Sequence, residues 1–224
     1  MKQPDIYNLP LAVSELFYSI QGEGTRAGLP CVFVRLQGCN LRCEWCDTEY
    51  AQQIGGGHRM EFREVKEYIE DKKCSFVEFT GGEPLLHPEL IPTVRHLCDK
   101  GLTVAIETNG SLDISVLDTR AVRIMDVKCP GSGMEKFNLW ENMEYLQTHD
   151  EVKFVLRSED DYLYSKKIIE KYDLIRRTAS VLISAVHGSI SPESIAGWML
   201  RDRLEARLQL QLHKIIYDPS RRGV

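Results

Sequence analysis

The chain has 224 residues, of which 43% are hydrophobic, and a formal net charge of −5. This size and apolar content suit one sizeable core, so we expect residues 1–224 to form a single domain. The acidic balance argues against a protein that grips nucleic acid, and no apolar run reaches the roughly 18 residues needed to cross a membrane. Because the N-terminus also lacks a signal-peptide layout, we expect a cytoplasmic protein.

Short β-branched runs alternate along the chain with stretches in which apolar residues recur at helical spacing. The runs predict strands at Val32–Leu36, Phe76–Thr80, Thr103–Glu107, Val122–Asp126, Val152–Leu156, Val181–Ser184 and Leu208–Leu212. The stretches predict helices at Phe62–Ile69, Leu90–Cys98, Phe137–Leu146, Tyr162–Tyr172 and Ile195–Leu204. Ser191 and Pro192 form a typical helix start before the last of these, and Gly101 is a typical helix C-cap.

Strands that alternate with helices predict βαβ units, an α/β fold and a parallel sheet covered by helices. Such sheets carry their chemistry at the carboxyl ends of the strands. A closed eight-unit barrel usually takes about 250 residues. We therefore expect a partial, open (β/α) barrel of about six units with parallel strands, and the alternative is a doubly wound open sheet.

Seven cysteines are present, an odd number that argues against a disulfide framework. Cys39, Cys43 and Cys46 follow the first predicted strand with the spacing C-x3-C-x2-C. Clustered thiolates favour an iron–sulfur cluster or zinc. A structural zinc site needs a fourth ligand, which His58 could supply, whereas a cluster held by three cysteines leaves one iron open to a small molecule.

The motif Gly81-Gly82-Glu83-Pro84 ends the second predicted strand, one βα unit after the cysteines. Together the two motifs resemble the radical S-adenosylmethionine (SAM) superfamily. The resemblance implies a [4Fe–4S] cluster on Cys39, Cys43 and Cys46 whose open iron binds SAM, and reductive cleavage of SAM to an adenosyl radical. It also implies that Gly82 and Glu83 hold the methionyl end of SAM.

Three further segments narrow the resemblance: Glu15–Gly24, Phe33–Cys39 and Cys46–Thr48. They are similar to the 7-carboxy-7-deazaguanine synthase family. Members of that family are carbon–nitrogen lyases that convert 6-carboxy-5,6,7,8-tetrahydropterin to 7-carboxy-7-deazaguanine with loss of ammonia, and their product feeds queuosine-type modification of tRNA. The resemblance implies a small-molecule pterin substrate, Mg²⁺, a homodimer and an electron donor such as flavodoxin, with no nucleic acid or membrane as partner.

Site residues follow from the same resemblance. It implies substrate contacts at Ile20, Gln21, Gly22, Glu23, Arg35, Thr80 and His213. It implies a magnesium ligand at Thr48 and SAM contacts at Gly82, Glu83, Asp126, Val127 and Lys128. The guanidinium of Arg35 suits a substrate carboxylate, and a hydroxyl suits hard Mg²⁺. Ligand contacts at Glu107 and His187 stay open.

Two departures from the family pattern matter. Asp126 and Val127 stand where the family has a Ser-Pro pair, so only their backbone contacts transfer. In one branch the terminal carboxylate lies near the active site. Pro219 falls near that position here, so Asp218 is a candidate substitute, and the role of the extension Ser220–Val224 stays open.

Two other functions remain as alternatives. A radical SAM activase, which places a radical on a glycine of a partner protein, fits the size and cysteine spacing equally well. It has no evident reason to carry the loop Gln21–Gly24 with Arg35 and Thr48. The second alternative is a binding module without catalytic activity, stabilised by zinc on the three cysteines and His58.

Overall fold

The computed structural model describes residues 5–218 and 221–224. They contain one nine-stranded sheet in the order β3-β1-β2-β4-β5-β6-β7-β8-β9. Its strands are β1 Pro10–Ile20, β2 Pro30–Leu36, β3 His58–Glu61, β4 Phe76–Gly81, β5 Thr103–Thr108, β6 Val122–Asp126, β7 Glu151–Leu156, β8 Ser180–Ala185 and β9 Arg207–Gln209. From β2 through β4 to β9 all neighbours are parallel, and the two edge strands β3 and β9 leave the sheet open. The expected open α/β architecture is confirmed.

The connections contain α1 Phe62–Lys72, α2 Leu90–Asp99, α3 Glu159–Tyr172, α4 Leu174–Arg177, α5 Pro192–Asp202 and α6 Leu212–Ile216. The predicted start of α5 is confirmed, because the Ser191 side chain accepts a hydrogen bond from Ser194 N and Pro192 occupies the first turn. In the described part of the chain, every helix is too short or too polar to cross a membrane.

Strand alternation divides the side chains between two faces of the sheet. On one face, strand residues such as Val34, Phe79 and Phe154 pack with helix residues in two large apolar clusters. On the other face a smaller cluster contains strand residues alone: Phe17, Cys31, Phe33, Phe76, Ala105, Val122 and Ile124. This second face also carries the polar side chains described below, and we call it the inner face.

The structure adds two strands that the sequence did not predict. β1 pairs antiparallel with both β2 and β3, at one edge of the sheet.

The predicted strand Leu208–Leu212 is wrong in its second half. β9 stops at Gln209, and α6 begins at Leu212, whose N–H donates to Gly22 O at 3.0 Å. A contact with a distant loop therefore ends this strand.

The predicted helix Phe137–Leu146 is also wrong, because short 3-10 turns occupy this segment. Two asparagine side chains bind distant backbone. Asn138 accepts from Lys128 N and donates to Lys128 O, both at 2.9 Å. Asn142 donates to Gly110 O and Leu112 O, at 3.1 and 2.8 Å. Side chains that bind backbone groups compete with helix formation, so the segment follows the loops after β5 and β6.

Candidate functional site

A cavity of about 620 Å³ lies on the inner face of the sheet. Most residues singled out from the sequence line it, namely Ile20, Gln21, Gly22, Glu23, Arg35, Cys39, Cys43, Cys46, Thr48, Thr80, Gly82, Asp126, Lys128 and His213. Glu107 and His187, whose roles the sequence left open, line it as well. The side chains of Glu83 and Val127 are not brought to the cavity: these residues are 0% and 2% exposed.

The lining comes from both ends of the parallel strands. The cysteine loop, the Gly81–Gly82 turn and the segments after β6 and β8 follow carboxyl ends, as expected for such sheets. The loop after β1 is different. Because β1 is antiparallel to β2, Ile20 pairs with Pro30, the first residue of β2, and Gln21–Glu23 enter from the amino end.

Backbone hydrogen bonds shape the cysteine loop directly after β2. Gly38 N–H donates to Ala51 O at 2.7 Å, and Cys39 N–H donates to Gln52 O at 3.1 Å. Gly38 has a φ of 102°, which residues with a side chain rarely adopt. The chain therefore turns sharply at the end of the strand, and the three thiols that follow reach one cavity.

Two glycines let the turn after β4 lie against this loop. A Cβ atom on Gly81 would lie 2.1 Å from Leu36 O, and one on Gly82 would lie 2.1 Å from Gly38 O. Both distances are far inside van der Waals contact. Glu83 N–H donates to Gly38 O at 2.8 Å across the same contact. The Gly-Gly pair is thus required by the close approach of two backbone segments.

The Glu83 carboxylate has a role that the sequence did not indicate. It accepts hydrogen bonds from Leu85 N at 2.9 Å, Thr108 Oγ1 at 2.8 Å and Asn109 N at 2.7 Å. Burial raises the pKa of Glu83, and the two backbone N–H groups act against that rise. Asn109 in turn reaches Cys39, with Nδ2 3.8 Å from Sγ. Glu83 therefore joins its own turn to the end of β5 and supports the cysteine loop.

The three cysteines suit a cluster better than a single zinc ion. Burial raises the pKa of the Cys39 and Cys43 thiols, so either metal must displace a thiol proton when it binds, and the choice between them depends on the other ligands. His58, the fourth ligand that a zinc site would need, is exposed at the start of β3. Among residues 5–218 and 221–224, no three His, Cys, Asp or Glu side chains surround one ion position. A [4Fe–4S] cluster does not require the three sulfurs to surround one point, because each thiolate binds a different iron.

The loop after β1 holds the substrate-side residues close to α6. A Cβ atom on Gly22 would lie 2.2 Å from Nδ1 of His213, so a glycine is needed for this contact. Burial lowers the pKa of His213, which favours the neutral imidazole. Gln21 donates from Nε2 to the buried Glu78 carboxyl on β4. The loop is thus tied to both sides of the cavity.

Glu23 is held by residues that the sequence analysis missed. Its Oε2 accepts from Lys153 Nζ and Gln209 Nε2, both at 2.9 Å, and its Oε1 accepts from Gln211 Nε2 at 2.8 Å. Lys153 also donates to Glu107 on β5. The sequence did contain a signal for Lys153, because this charged residue interrupts the otherwise apolar run Val152–Leu156 of a central strand.

Arg35 lies in a second polar group on β1 and β2. Its Nε donates to Glu15 Oε2 at 2.9 Å, and Tyr50 Oη donates to the same oxygen at 2.7 Å. The guanidinium carbon lies 5.8 Å from the centre of the Phe17 ring, and that of Arg222 lies 3.7 Å from the Tyr50 ring. The Glu15 carboxylate and the Phe17 ring thus hold the Arg35 guanidinium at the cavity wall.

Thr48 follows the last cysteine beside a second oxygen donor. Its Oγ1 donates to Asp47 Oδ1 at 3.0 Å, and Asp47 accepts from Lys214 at 3.0 Å. Although partial burial acts in the opposite direction, the Lys214 ammonium lowers the pKa of Asp47 to about 2. A hydroxyl and a carboxylate are therefore adjacent at the rim of the cavity.

Asp126 and Lys128 form an ion pair of 2.8 Å at the end of β6. At the C-terminus, Pro219 and Ser220 lie outside the described residues. That Asp218 takes the place of the family's terminal carboxylate therefore stays a prediction. Residues 221–224 line the cavity beside Arg35 and Tyr50.

Known proteins are similar to this chain in sequence and in fold. Residues 33–125 match the radical SAM superfamily. The 7-carboxy-7-deazaguanine synthase of Koribacter versatilis is 39% identical over 96% of this chain and 100% of its own length. The synthase of Chlorobaculum tepidum is 42% identical over 96% of this chain and 98% of its own length.

Two solved structures have a similar fold. QueE from Escherichia coli matches with a TM-score of 0.73 at 21% identity, over 94% of this chain and 99% of that chain. SuiB from Streptococcus suis, solved with S-adenosylmethionine bound, matches with a TM-score of 0.52 at 11% identity, over 77% of this chain and 44% of that chain. The sequence resemblance is confirmed by the curated relatives: the chain belongs to the 7-carboxy-7-deazaguanine synthase family, within the radical SAM superfamily.

Proposed function

We propose that the chain is a carbon–nitrogen lyase that converts 6-carboxy-5,6,7,8-tetrahydropterin to 7-carboxy-7-deazaguanine and releases ammonia. One observation carries the proposal: the three-cysteine loop and the loop Gln21–Glu23 line the same cavity, together with Arg35. A redox centre and a polar pocket for a small carboxylated heterocycle therefore share one space. Relatives named for this activity align with 96% of the chain.

The lining side chains offer groups of the right kind for this substrate. In our proposal the Arg35 guanidinium binds the substrate carboxylate, for which its planar fork of donors is suited. Glu23 accepts hydrogen bonds from N–H groups of the pterin, and the backbone of Ile20, Gln21 and Gly22 lies along its edge. Thr80 and His213 complete the contacts. Phe17 and Phe33, from the apolar cluster on the inner face, line the cavity together with Arg35 and give this part of the pocket an apolar wall.

The proposed cofactors lie beside this pocket. Cys39, Cys43 and Cys46 hold a [4Fe–4S] cluster, and SAM binds along Gly82 and the backbone of Asp126–Lys128. When bound, the cluster and SAM supply the one-electron chemistry that removes a hydrogen atom from the substrate. Glu83 supports this region through Asn109 rather than by a side chain in the cavity.

We further propose Thr48 as a ligand of Mg²⁺, with the Asp47 carboxylate beside it as a second oxygen donor. Hard Mg²⁺ prefers oxygen ligands and usually keeps several waters. A cation at the rim would add positive charge near the carboxylate end of the substrate. The proposal also includes one domain over residues 1–224, since a single sheet supplies the whole site.

In our proposal the enzyme works in the cytoplasm, where its seven cysteines stay reduced. It acts as a homodimer and takes its electron from a small reductase such as flavodoxin. Its substrate is the pterin itself, with no nucleic acid or membrane as partner, while its product serves the tRNA modification pathway. The activase alternative is set aside, because the curated relatives that span the chain are synthases.

The test is anaerobic turnover by protein reconstituted with iron and sulfide. We expect about four irons per chain and one ammonia released per pterin consumed, without stoichiometric loss of SAM. Steady accumulation of 5′-deoxyadenosine without any pterin product would overturn the proposed reaction. A colourless protein with one zinc per chain would overturn the cofactor as well.

A further inference from the structure

Lys153 is a buried cation of the cavity and lies between two carboxylates. Its side chain is 8% exposed, and its ammonium contacts Glu23 and Glu107. Glu23 belongs to the loop after β1, Glu107 to β5 and Lys153 to β7. The ammonium therefore connects three elements that are far apart in sequence and meet only inside the cavity.

Both carboxylates are bound by protein donors but still face the cavity. Glu107 Oε2 accepts from Thr80 Oγ1 at 2.9 Å, and its other oxygen contacts Lys153. A carboxylate oxygen can accept two hydrogen bonds, so both oxygens of Glu107 and Oε1 of Glu23 keep capacity for a ligand donor, whereas Oε2 of Glu23 already accepts two. The arrangement presents two anionic acceptors that are held in place before any ligand arrives.

Glu78 is a buried carboxyl nearby that does not contact the Lys153 ammonium, and it serves as a comparison. It lies on β4 in the same group of buried side chains and bonds to the neutral amide of Gln21. Burial, followed by the charges of Glu107 and Glu23, raises the pKa of Glu78 well above its usual value. Burial acts on Glu23 in the same direction and is the largest single influence, but the charge and hydrogen bond of Lys153, together with the Gln211 hydrogen bond and His213, outweigh it, and the pKa of Glu23 is lowered.

The ammonium is itself kept charged by its neighbours. Burial disfavours the charged form, but Glu107, Glu23 and Asp126 outweigh it, and the pKa of Lys153 is raised well above its usual value. The other titratable groups that face this trio are Glu78, Lys128, Glu151, Asp47 and His213. At neutral pH, Lys153 thus remains a cation beside a surplus of carboxyl groups.

We propose that Lys153 is a positioning residue that holds Glu23 and Glu107 as paired hydrogen-bond acceptors for the N–H groups of the substrate. This inference rests on the proposed function, which supplies a pterin rich in N–H donors. Lys153 itself acts through the two carboxylates. A protonated carboxyl would present a donor to the pterin N–H groups, so removal of the ammonium should weaken substrate binding.

The test compares Lys153→Met with the wild type in anaerobic equilibrium binding of the pterin. The holoenzyme is used without reductant, so that no turnover occurs. We expect about a hundredfold weaker pterin binding near neutral pH, with wild-type iron content and SAM affinity, because a buried ion pair loses one partner. Lys166→Met is the matched control. Lys166 pairs with Asp202 at 3.1 Å outside the cavity, and its loss should leave pterin binding unchanged.

The pH profile separates this role from a structural one. Without the ammonium, burial and repulsion by neighbouring carboxylates should raise the pKa of Glu23, as they do for Glu78. The variant then carries extra protons at lower pH and loses them as pH rises. The ratio of wild-type to variant affinity should therefore fall about tenfold between about pH 6.5 and pH 9. If Lys153→Met does not fold, Lys153→Gln removes the charge, keeps an N–H donor and takes the same test.

The outcomes are distinct. Pterin affinity equal to the wild type in a folded variant overturns the inference, as does a loss of binding that is the same at every pH. A second outcome is that the wild type binds the pterin without converting it, while Lys153→Met shows the expected loss of binding. That result supports the inference and overturns the proposed reaction. Wild-type protein that does not bind the pterin overturns both.

Discussion

Replacement of Glu83 by glutamine tests whether this residue supports the fold or contacts SAM. The substitution keeps the shape but turns one carboxylate oxygen into an N–H₂ donor. If that donor faces Asn109 N, two N–H groups meet at the position of a 2.7 Å hydrogen bond. If it faces the other way, the contacts with Leu85 N and Thr108 Oγ1 are disturbed instead. At least one buried hydrogen bond to a charged group is lost either way.

A hydrogen bond to a charged group contributes about 1.5–3 kcal/mol, and a buried unsatisfied donor adds to the cost. We therefore expect Glu83→Gln to lower the free energy of unfolding by about 2–3 kcal/mol. For a chain of this size that corresponds to a fall in Tm of about 4–12 °C. The loss should already be present without cluster and SAM, because the bonds of Glu83 lie within the protein.

The assay is thermal unfolding of the cluster-free protein by circular dichroism, beside the same measurement on Glu67→Gln. Glu67 is exposed on α1, so its substitution should change Tm by less than about 1 °C. A Glu83→Gln protein with the wild-type Tm but a weakened affinity for SAM would refute the reasoning. It would mean that the carboxylate meets the cofactor directly.

Three further predictions concern the cavity. Arg35→Ala should raise KM for the pterin about a hundredfold at unchanged iron content, because it removes the charge partner of the substrate; unchanged kinetics would place Arg35 outside the site. Gly22→Ala should displace His213 and lower kcat/KM at least tenfold, whereas Gly197→Ala, which meets no atom within 4 Å, should stabilise α5 by roughly 1 kcal/mol and leave turnover intact. Thr48→Ala should abolish the response of activity to added Mg²⁺, and an identical response in both proteins would contradict that ligand.

Local sequence was sufficient for the features whose causes are local. The cysteine spacing, the Gly-Gly turn and the cap at Ser191 each depend on a few neighbouring residues, and the structure has them in the expected places. Six of the seven predicted strands have bounds within two residues of the observed ones, because buried parallel strands are continuous apolar runs. The errors lie where distant groups intervene. Asn142 prevents a helix by bonding to the loop after β5, and α6 begins where Leu212 meets Gly22.

Charged residues within strands show the limit most clearly. Arg123 and Lys153 each interrupt an apolar strand, and the residues that flank them do not show which of the two lies in the cavity. Arg123 lies on the helix-covered face and pairs with Asp150 at 3.1 Å, whereas Lys153 lies in the cavity. Alternation assigns residues to two faces but does not say which face is which for a strand buried on both sides.

By itself, the sequence determined the chemistry of the site: three thiolates at cluster spacing, a glycine turn after the next strand and an arginine on the strand that leads into the thiolates. Only the tertiary structure decided which groups meet inside it. The antiparallel direction of β1 brings Glu23 in from the amino end of the sheet, and the order of the strands sets Lys153 between Glu23 and Glu107. The reason is physical: such contacts join residues more than forty positions apart, and strand order and sheet curvature, which no local pattern encodes, bring them together.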